Sequence, residues 1–299
     1  MTAGRRAKAW VAFLPLVLAT TLACAIAPTG PKGLTWRFLP GHVESLRYAP
    51  FRDGRQCWIY LPPGYSTSDR HYPVLYVNDG EIAFDGTVGM HINRICEDLI
   101  RRGEIEPLIV VAIENGPGHQ RFIDYTPWPA PYWSPNGGGD FYVRAIRDTL
   151  KPEIDRRYRT LVDPSNTGMA GFSLGGLISA YAGFAYDSTF GKIGTSSASY
   201  DYAYPQMYNL VRARGRPPLL IRFYQDTGYP DDNGLHSMES ALISVGFQLG
   251  LDLMSVTVQG GTHDAVSWAY RFPDLLKFLY PRKPDSIVSL SSGSHADDP

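Results

Sequence analysis

The stretch GFSLGG at residues 171–176 determines the fold that we predict for this chain. It follows a short apolar run at residues 167–170 and precedes a helix-like apolar run at residues 174–186. A Gly-x-Ser-x-Gly pattern between strand and helix is typical of a nucleophile elbow, a sharp turn that exposes a serine hydroxyl. The glycines let strand and helix approach because they carry no Cβ atom. We therefore predict Ser173 as a nucleophile; the alternative is a glycine-rich turn with an uninvolved serine.

Candidate partners for this serine follow it along the chain, on loops after strand-like runs. Residues 219–224 form an apolar run that leads into an acidic loop at residues 225–232, and residues 254–258 alternate like a strand before His263. Parallel α/β sheets place functional side chains on such loops. A serine hydroxyl needs a base to accept its proton, and the base needs an acid to fix its tautomer. The order serine, acid, histidine therefore predicts a catalytic triad.

Strand-like and helix-like runs alternate over most of the chain. The predicted strands cover residues 56–61, 73–78, 108–113, 167–171, 219–224 and 254–258. The run at 108–113 is apolar throughout, which is typical of a strand buried on both faces of a parallel sheet. Leu235, Met238 and Leu242 recur at helical spacing. This alternation predicts a single α/β domain with a mostly parallel central sheet and helices on both faces.

Four motifs resemble the putative-esterase branch of the α/β-hydrolases. They are YPVLYVNDG at residues 72–80, GFSLGG at 171–176, GYPD at 228–231 and GGTHD at 260–264, which Trp268 follows. That branch includes enterochelin esterases, feruloyl and acetyl xylan esterases, S-formylglutathione hydrolase and the mycolyltransferases. The resemblance covers residues 45–282 and implies an α/β-hydrolase fold with serine carboxylic-ester hydrolase activity. The other histidines form no ligand pattern with cysteines or carboxylates, so we expect no metal and no cofactor.

The resemblance also implies a role for each matching residue of the triad. Ser173 would be the nucleophile and His263 the general base. Asp231 would be the acid, because it matches the family's Gly-x-x-Asp motif. Asp226 and Asp232 remain alternatives for the acid. Each of the three aspartates could instead have a structural role and cap a turn or a helix.

Further positions are expected to contact the substrate. The resemblance implies an oxyanion hole made by the backbone N–H groups of Leu174 and Glu81. A ring-rich loop at residues 121–140 and a tyrosine cluster after residue 199 predict pocket-lining rings, among them Trp128, Trp133 and Tyr200. The alternative is a surface loop that packs its own aromatic side chains. Arg121 is either a group that holds an anionic or phenolic part of the substrate or an ordinary solvated arginine.

Together these features predict a secreted serine hydrolase that cleaves a carboxyl ester through an acyl-enzyme. The expected substrate is a small-molecule or glycan-linked ester, and no partner protein is implied. One alternative keeps the site but passes the acyl group to a sugar hydroxyl, as mycolyltransferases do. Another is a catalytically silent binding protein with the same fold. A net charge of −1 without a visible basic face argues against nucleic-acid binding.

The first 25 residues resemble a secretory signal. Arg5, Arg6 and Lys8 precede an apolar run at residues 9–25 that ends in small residues. The prediction is a cleaved signal peptide and a secreted or periplasmic protein. An uncleaved anchor and a lipoprotein modified at Cys24 remain alternatives.

The remaining boundaries follow from composition. Residues 26–44 carry prolines and glycines and are predicted as a loosely packed lead-in, and residues 283–299 are predicted as a disordered polar tail. The hydrolase domain then spans residues 45–282. If Cys24 leaves with the signal, Cys57 and Cys96 remain, and they form either one disulfide or two buried free thiols.

Overall fold

A computed structural model describes residues 41–48, 54–84, 89–129 and 136–282. The strands in these ranges are β1 (His42–Tyr48), β2 (Arg55–Leu61), β3 (Val74–Asn78), β4 (Ile109–Ile113), β5 (Thr167–Phe172), β6 (Lys192–Ser196), β7 (Arg222–Tyr229) and β8 (Leu253–Gln259). The α-helices are α1 (Ile92–Arg101), α2 (Gln120–Tyr125), α3 (Gly139–Ala145), α4 (Lys151–Arg157), α5 (Leu174–Ala185), α6 (Gln206–Arg214), α7 (Leu235–Ser244) and α8 (Ala265–Leu279). A π-helical turn, Ile146–Leu150, joins α3 to α4.

The strands form one mostly parallel sheet. Their order is β1-β2-β4-β3-β5-β6-β7-β8. β2 is antiparallel to both of its neighbours, and every pair from β4 to β8 is parallel. All residues of β3 and β4 are buried, which explains why β4 is apolar along its whole length and why Asn78 is the one polar residue of β3. The predicted α/β-hydrolase sheet is confirmed.

Alternate strand residues feed two apolar cores, one on each face of the sheet. Tyr76 of β3 belongs to a core that α2 to α7 cover, which we call the α5-side core. The preceding residue, Leu75, belongs to the opposite core, which α1 and α8 cover and which we call the α8-side core. This period of two is the expected consequence of a pleated strand. The prediction of helices on both faces is therefore confirmed.

The N-terminal boundary of the predicted domain is corrected by β1. Its residues His42, Val43 and Glu44 pair with β2, although they fall within the predicted lead-in at 26–44. β1 lies at the edge of the sheet, and several of its residues are exposed. Such a strand needs few apolar residues, so its sequence resembles that of a loop.

The predicted strands also omit β6 and place β7 too early. β6 is short and contains Gly194, where an added Cβ would lie 2.7 Å from the Leu275 side chain. β7 was predicted at residues 219–224 but extends through Gln225 and Asp226 to Tyr229. Both polar residues are buried and hydrogen-bonded, Gln225 donating to Ser255 Oγ at 3.0 Å. Polar residues inside a buried strand resemble the start of a loop when only the sequence is read.

The two cysteines of the described domain are free thiols. Cys57 on β2 packs in the α5-side core, whereas Cys96 on α1 packs in the α8-side core. The sheet thus separates them, and the disulfide alternative is corrected. Burial raises the pKa of Cys57 to about 12 and also raises the pKa of Cys96.

Several predictions concern residues outside the described ranges. They are the signal segment at 1–25, the lead-in as far as residue 40, the tail at 283–299, and Trp133. These stay predictions. Within the described ranges, no helix combines the length and apolarity needed to cross a bilayer.

Candidate active site

Ser173 lies in a sharp turn between β5, which ends at Phe172, and α5, which begins at Leu174. Its φ of 54° and ψ of −122° are unusual for a residue with a side chain. The close approach requires glycine at position 171, because a Cβ there would lie 2.4 Å from the carbonyl oxygen of Gly175. The turn has the strand-to-helix geometry that the GFSLGG stretch predicts.

The Ser173 hydroxyl is half-buried and lies 3.2 Å from the Oγ atom of Ser199. The Ser199 backbone N–H also donates to the Ser173 carbonyl at 3.0 Å, and the Ser173 N–H donates to the Ser196 carbonyl at 3.1 Å. The end of β6 and the segment after it therefore hold the elbow at three points. Sequence reasoning missed Ser199 because nothing in the run Ser196–Ser199 distinguishes a serine that contacts the elbow from its neighbours.

His263 lies on the loop between β8 and α8, and its ring is partly exposed. The imidazole packs edge-on against Trp268, with ring centroids 5.3 Å apart. Trp268 in turn stacks at 4.9 Å on Phe172, the residue directly before Ser173. This aromatic stack brings the His263 loop to the elbow. In the described part of the chain, the Ser173 hydroxyl is hydrogen-bonded to Ser199 rather than to the imidazole.

Asp231 lies on the loop after β7, beside the His263 loop. The end of β7, three residues before Asp231, touches the His263 loop closely, since a Cβ on Gly228 would lie 2.1 Å from the Gly261 carbonyl oxygen. The Asp231 loop is fastened by the Thr227 hydroxyl, which donates to the Asp231 carbonyl at 2.8 Å. Burial lowers the pKa of His263, and the negative charge of Asp231 opposes that shift.

The two alternative acids have other partners. Asp226 is buried within β7 and forms an ion pair with Arg271 of α8 at 2.5 Å. It also accepts a hydrogen bond from the Ser196 hydroxyl. Asp232 accepts from the His236 backbone N–H at 3.2 Å, at the first turn of α7. Of the three aspartates, Asp231 is the one whose charge has a resolved effect on the imidazole.

The positions predicted for the oxyanion hole lie at the ends of neighbouring strands. Glu81 is in the short turn Gly80–Ile82 directly after β3, and Leu174 is the first residue of α5 after β5. The two segments are in contact, because a Cβ on Gly175 would lie 3.1 Å from Asp79 Oδ2. Both predicted backbone donors therefore lie close to the elbow.

A polar network holds the turn that carries Glu81. Asp79 has a φ of 58°, and its carboxylate receives Arg121 Nε at 2.6 Å and Nη2 at 2.8 Å. Asn115 donates its side-chain amide to Asp79 at 3.0 Å and its backbone N–H to the Glu81 carboxylate at 3.1 Å. Burial, with the Asp79 charge second, raises the pKa of Glu81. Arg121 is thus bound to Asp79, which corrects the alternative of an ordinary solvated arginine; a contact with substrate stays a prediction.

Trp128 and Tyr200, two of the predicted pocket-lining rings, differ in how deeply they are buried. Trp128 is half-buried and packs edge-on against Tyr181 of α5, with centroids 5.6 Å apart. Tyr200 is only 2% exposed, and its hydroxyl lies 2.7 Å from Thr195 Oγ1. Tyr200 is therefore a core residue, which corrects its prediction as a pocket-lining ring. Among the residues with described positions, no group of three or more His, Cys, Asp or Glu could hold a metal ion.

A comparison with family models decides the family of this chain. The model described as "Putative esterase" matches residues 51–242. The chain belongs to this esterase family. A curated relative, the uncharacterized protein YbbA of Bacillus subtilis (strain 168), is 36% identical over 248 residues, which span 78% of this chain and 95% of YbbA.

Two further proteins that are similar to this chain are named as an esterase and as a serine hydrolase. The iron(III) enterobactin esterase of Dickeya dadantii (strain 3937) is 23% identical over 287 residues, and the match spans 86% of this chain but 61% of that protein. Among solved structures, an IroE-like serine hydrolase from Shewanella oneidensis superimposes with a TM-score of 0.65 at 23% identity, covering 80% of each chain. This esterase-family chain is thus an esterase-type hydrolase with an α/β-hydrolase fold.

Proposed function

We propose that the chain is a serine esterase that hydrolyses small-molecule carboxyl esters through an acyl-enzyme. The observation that carries this proposal is the conformation of Ser173, which combines a positive φ with a half-buried hydroxyl at the end of β5. Strained backbone of this kind is retained where the surrounding structure enforces it, and such sites are often functional. The contact between the end of β7, which leads into Asp231, and the loop that carries His263 supports the same proposal.

In the proposed reaction, Ser173 Oγ attacks the ester carbonyl carbon while His263 accepts the hydroxyl proton. The negative charge that develops on the carbonyl oxygen is stabilised by the N–H groups of Leu174 and Glu81. The intermediate then expels the alcohol, which takes the proton from His263, and the ester C–O bond breaks. A water molecule then attacks the carbonyl carbon of the acyl-enzyme while His263 accepts its proton. The bond to Ser173 Oγ breaks, Ser173 takes the proton from His263, and the carboxylic acid is released.

The resting hydroxyl must turn from Ser199 toward the imidazole before it can transfer its proton. Hydrogen bonds between catalytic groups are often long in unliganded enzymes and tighten when substrate binds. Asp231 would hold the imidazole in the tautomer that accepts from serine and would stabilise the imidazolium that forms. The stack of Trp268 on Phe172 limits how far the His263 loop can move away from the elbow.

The name of the Dickeya relative supports esters of catecholate siderophores as one substrate group for this chain. We therefore expect a fluorophosphonate probe to label wild-type protein stoichiometrically, and a panel of acetyl, feruloyl, long-chain and catecholate esters to identify the preferred acyl group. Assays with water as the sole acceptor, and then with added sugar, separate hydrolysis from acyl transfer. A folded protein that neither reacts with the probe nor cleaves any ester would contradict the proposal.

The pH dependence of kcat/KM provides a second test. Only the neutral imidazole can accept the serine proton, so activity is lost as pH falls through the pKa of His263. Burial holds that pKa below the ordinary value of 6.5. We expect the acid limb of kcat/KM to have its midpoint below that value, measured with an ester whose own ionisation is constant. A midpoint above it would contradict the proposed environment of the base.

A further inference from the structure

A buried ion pair joins β7 to α8 directly beneath the candidate site. Arg271 Nη1 lies 2.5 Å from Asp226 Oδ1, and the side chains are 2% and 1% exposed, respectively. Around it, the buried face of α8 is apolar, with Trp268, Phe272 and Leu275 in the α8-side core. An arginine on this face is unexpected unless its hydrogen bonds serve a purpose.

Those hydrogen bonds reach both loops that meet at the elbow. Arg271 Nη2 donates to Ser197 Oγ at 3.0 Å, two residues before Ser199. The same nitrogen donates at 3.4 Å to the carbonyl oxygen of Thr262, the residue directly before His263. The Nε atom donates to the Ser267 carbonyl at 3.2 Å. One guanidinium therefore links the segment that contacts the nucleophile to the segment that carries the base.

Asp226 orients this guanidinium and also fixes the turn after β6. Its backbone carbonyl accepts from the Ser197 N–H at 2.7 Å, and Ser197 has a φ of 46°. Its carboxylate accepts from the Ser196 hydroxyl through Oδ1, the same oxygen that pairs with Arg271.

Stability alone does not explain this pair. Burying two charges carries a desolvation cost that their attraction often only just offsets, and apolar replacements of similar volume are often neutral or stabilising. A role in fixing one arrangement of the surrounding loops is therefore the better explanation.

We propose that Arg271, oriented by Asp226, is a positioning residue that fixes the His263 loop relative to the Ser197–Ser199 segment and hence to the Ser173 hydroxyl. The proposal rests on the function proposed above. It assigns Asp226 to the arginine rather than to the imidazole. A positional error of the order of 1 Å in a catalytic group can cost ~10²-fold in rate, so loss of this link acts mainly on kcat.

The guanidinium also acts on the base through its charge. The charged groups that act on His263 are Asp231 after β7, Arg271 on α8, Arg121 on α2 and Asp264 on its own loop. The positive charge of Arg271 lowers the pKa of His263. Removing that charge should therefore move the acid limb of the rate profile to higher pH, which a purely structural role would not do.

The test is the double variant Asp226→Asn with Arg271→Met, which removes both charges and keeps the side-chain volumes similar. We expect a folded protein whose kcat is lower by ~10-fold or more, with KM within about twofold of wild type. Its acid limb should lie at higher pH. Arg271→Lys keeps the positive charge, so its acid limb should stay near the wild-type position. It loses the planar guanidinium that donates to both loops, so kcat should still fall.

The Lys151–Asp155 pair on α4 offers a matched control. Lys151 Nζ lies 2.7 Å from Asp155 Oδ2, and the two side chains are 11% and 20% exposed. Asp155 also accepts a hydrogen bond from the Thr160 hydroxyl, near the amino end of β3. Lys151→Met with Asp155→Asn should leave kcat and the acid limb unchanged.

A folded Asp226→Asn, Arg271→Met variant with wild-type kcat and acid limb would overturn the proposal. If that variant does not fold, wild-type kcat in Arg271→Lys overturns it. Wild-type protein that fails to react with the fluorophosphonate probe would instead refute the proposed function.

Discussion

Ser173→Ala is expected to abolish hydrolysis of every ester that the wild-type chain accepts, with kcat lower by ~10⁴-fold or more. The reason is that the Oγ atom forms the covalent bond to the acyl group, and no other described hydroxyl occupies the elbow. Stability should change little, because among the described residues the half-buried hydroxyl makes a single side-chain hydrogen bond, to Ser199. Initial rates and a thermal melt check both statements.

Two matched variants sharpen this result. Ser199→Ala removes the neighbouring hydroxyl but leaves the nucleophile, so we expect activity within about tenfold of wild type. Ser173→Gly should be as inactive as Ser173→Ala but more stable than it, because glycine adopts a φ of 54° without strain, a gain of about 1 kcal/mol. Residual turnover within about tenfold of wild type in Ser173→Ala would remove this serine from the mechanism.

Asp231→Asn is expected to cost up to ~10⁴-fold in kcat, far more than Asp226→Asn. An asparagine keeps the shape of the side chain but cannot hold the imidazole in the accepting tautomer or stabilise the imidazolium. The Asp226 carboxylate is already paired with Arg271, so its loss should act only through the position of the His263 loop. Steady-state kinetics on the two variants, at a pH above the acid limb, measure the difference.

Asp232→Asn serves as the control for a change on the same acidic loop. Asp232 accepts from the first turn of α7 and is exposed, so its replacement should leave kcat near the wild-type value. A larger loss in Asp226→Asn than in Asp231→Asn would transfer the acid role to Asp226. It would also require Arg271 to give up its partner during the reaction.

The features that could be predicted from the sequence are those set by neighbours in the chain. The elbow follows from residues 171–176 alone, because two glycines and a serine at fixed spacing define the turn. β4 is predictable because burial on both faces leaves an unbroken apolar run. Both signals are local, and both are confirmed by the structure.

The features that escaped prediction depend on contacts between distant residues. Asp226 and Arg271 are 45 residues apart, and neither has a local pattern that marks a buried partner. Asp226 was consequently placed on a loop, and β7 was predicted too short. Tyr200 follows a strand in a tyrosine-rich segment, and only the contact with Thr195 shows that it belongs to the core. Bidentate pairing of Arg121 with Asp79 is equally invisible in the sequence.

The position of the two thiols on opposite faces of the sheet has a consequence for where this architecture can operate. The described domain is held together by close packing and not by a disulfide between Cys57 and Cys96, so its stability should not depend on the redox potential of its surroundings. Reducing and oxidising compartments should accommodate the same native structure.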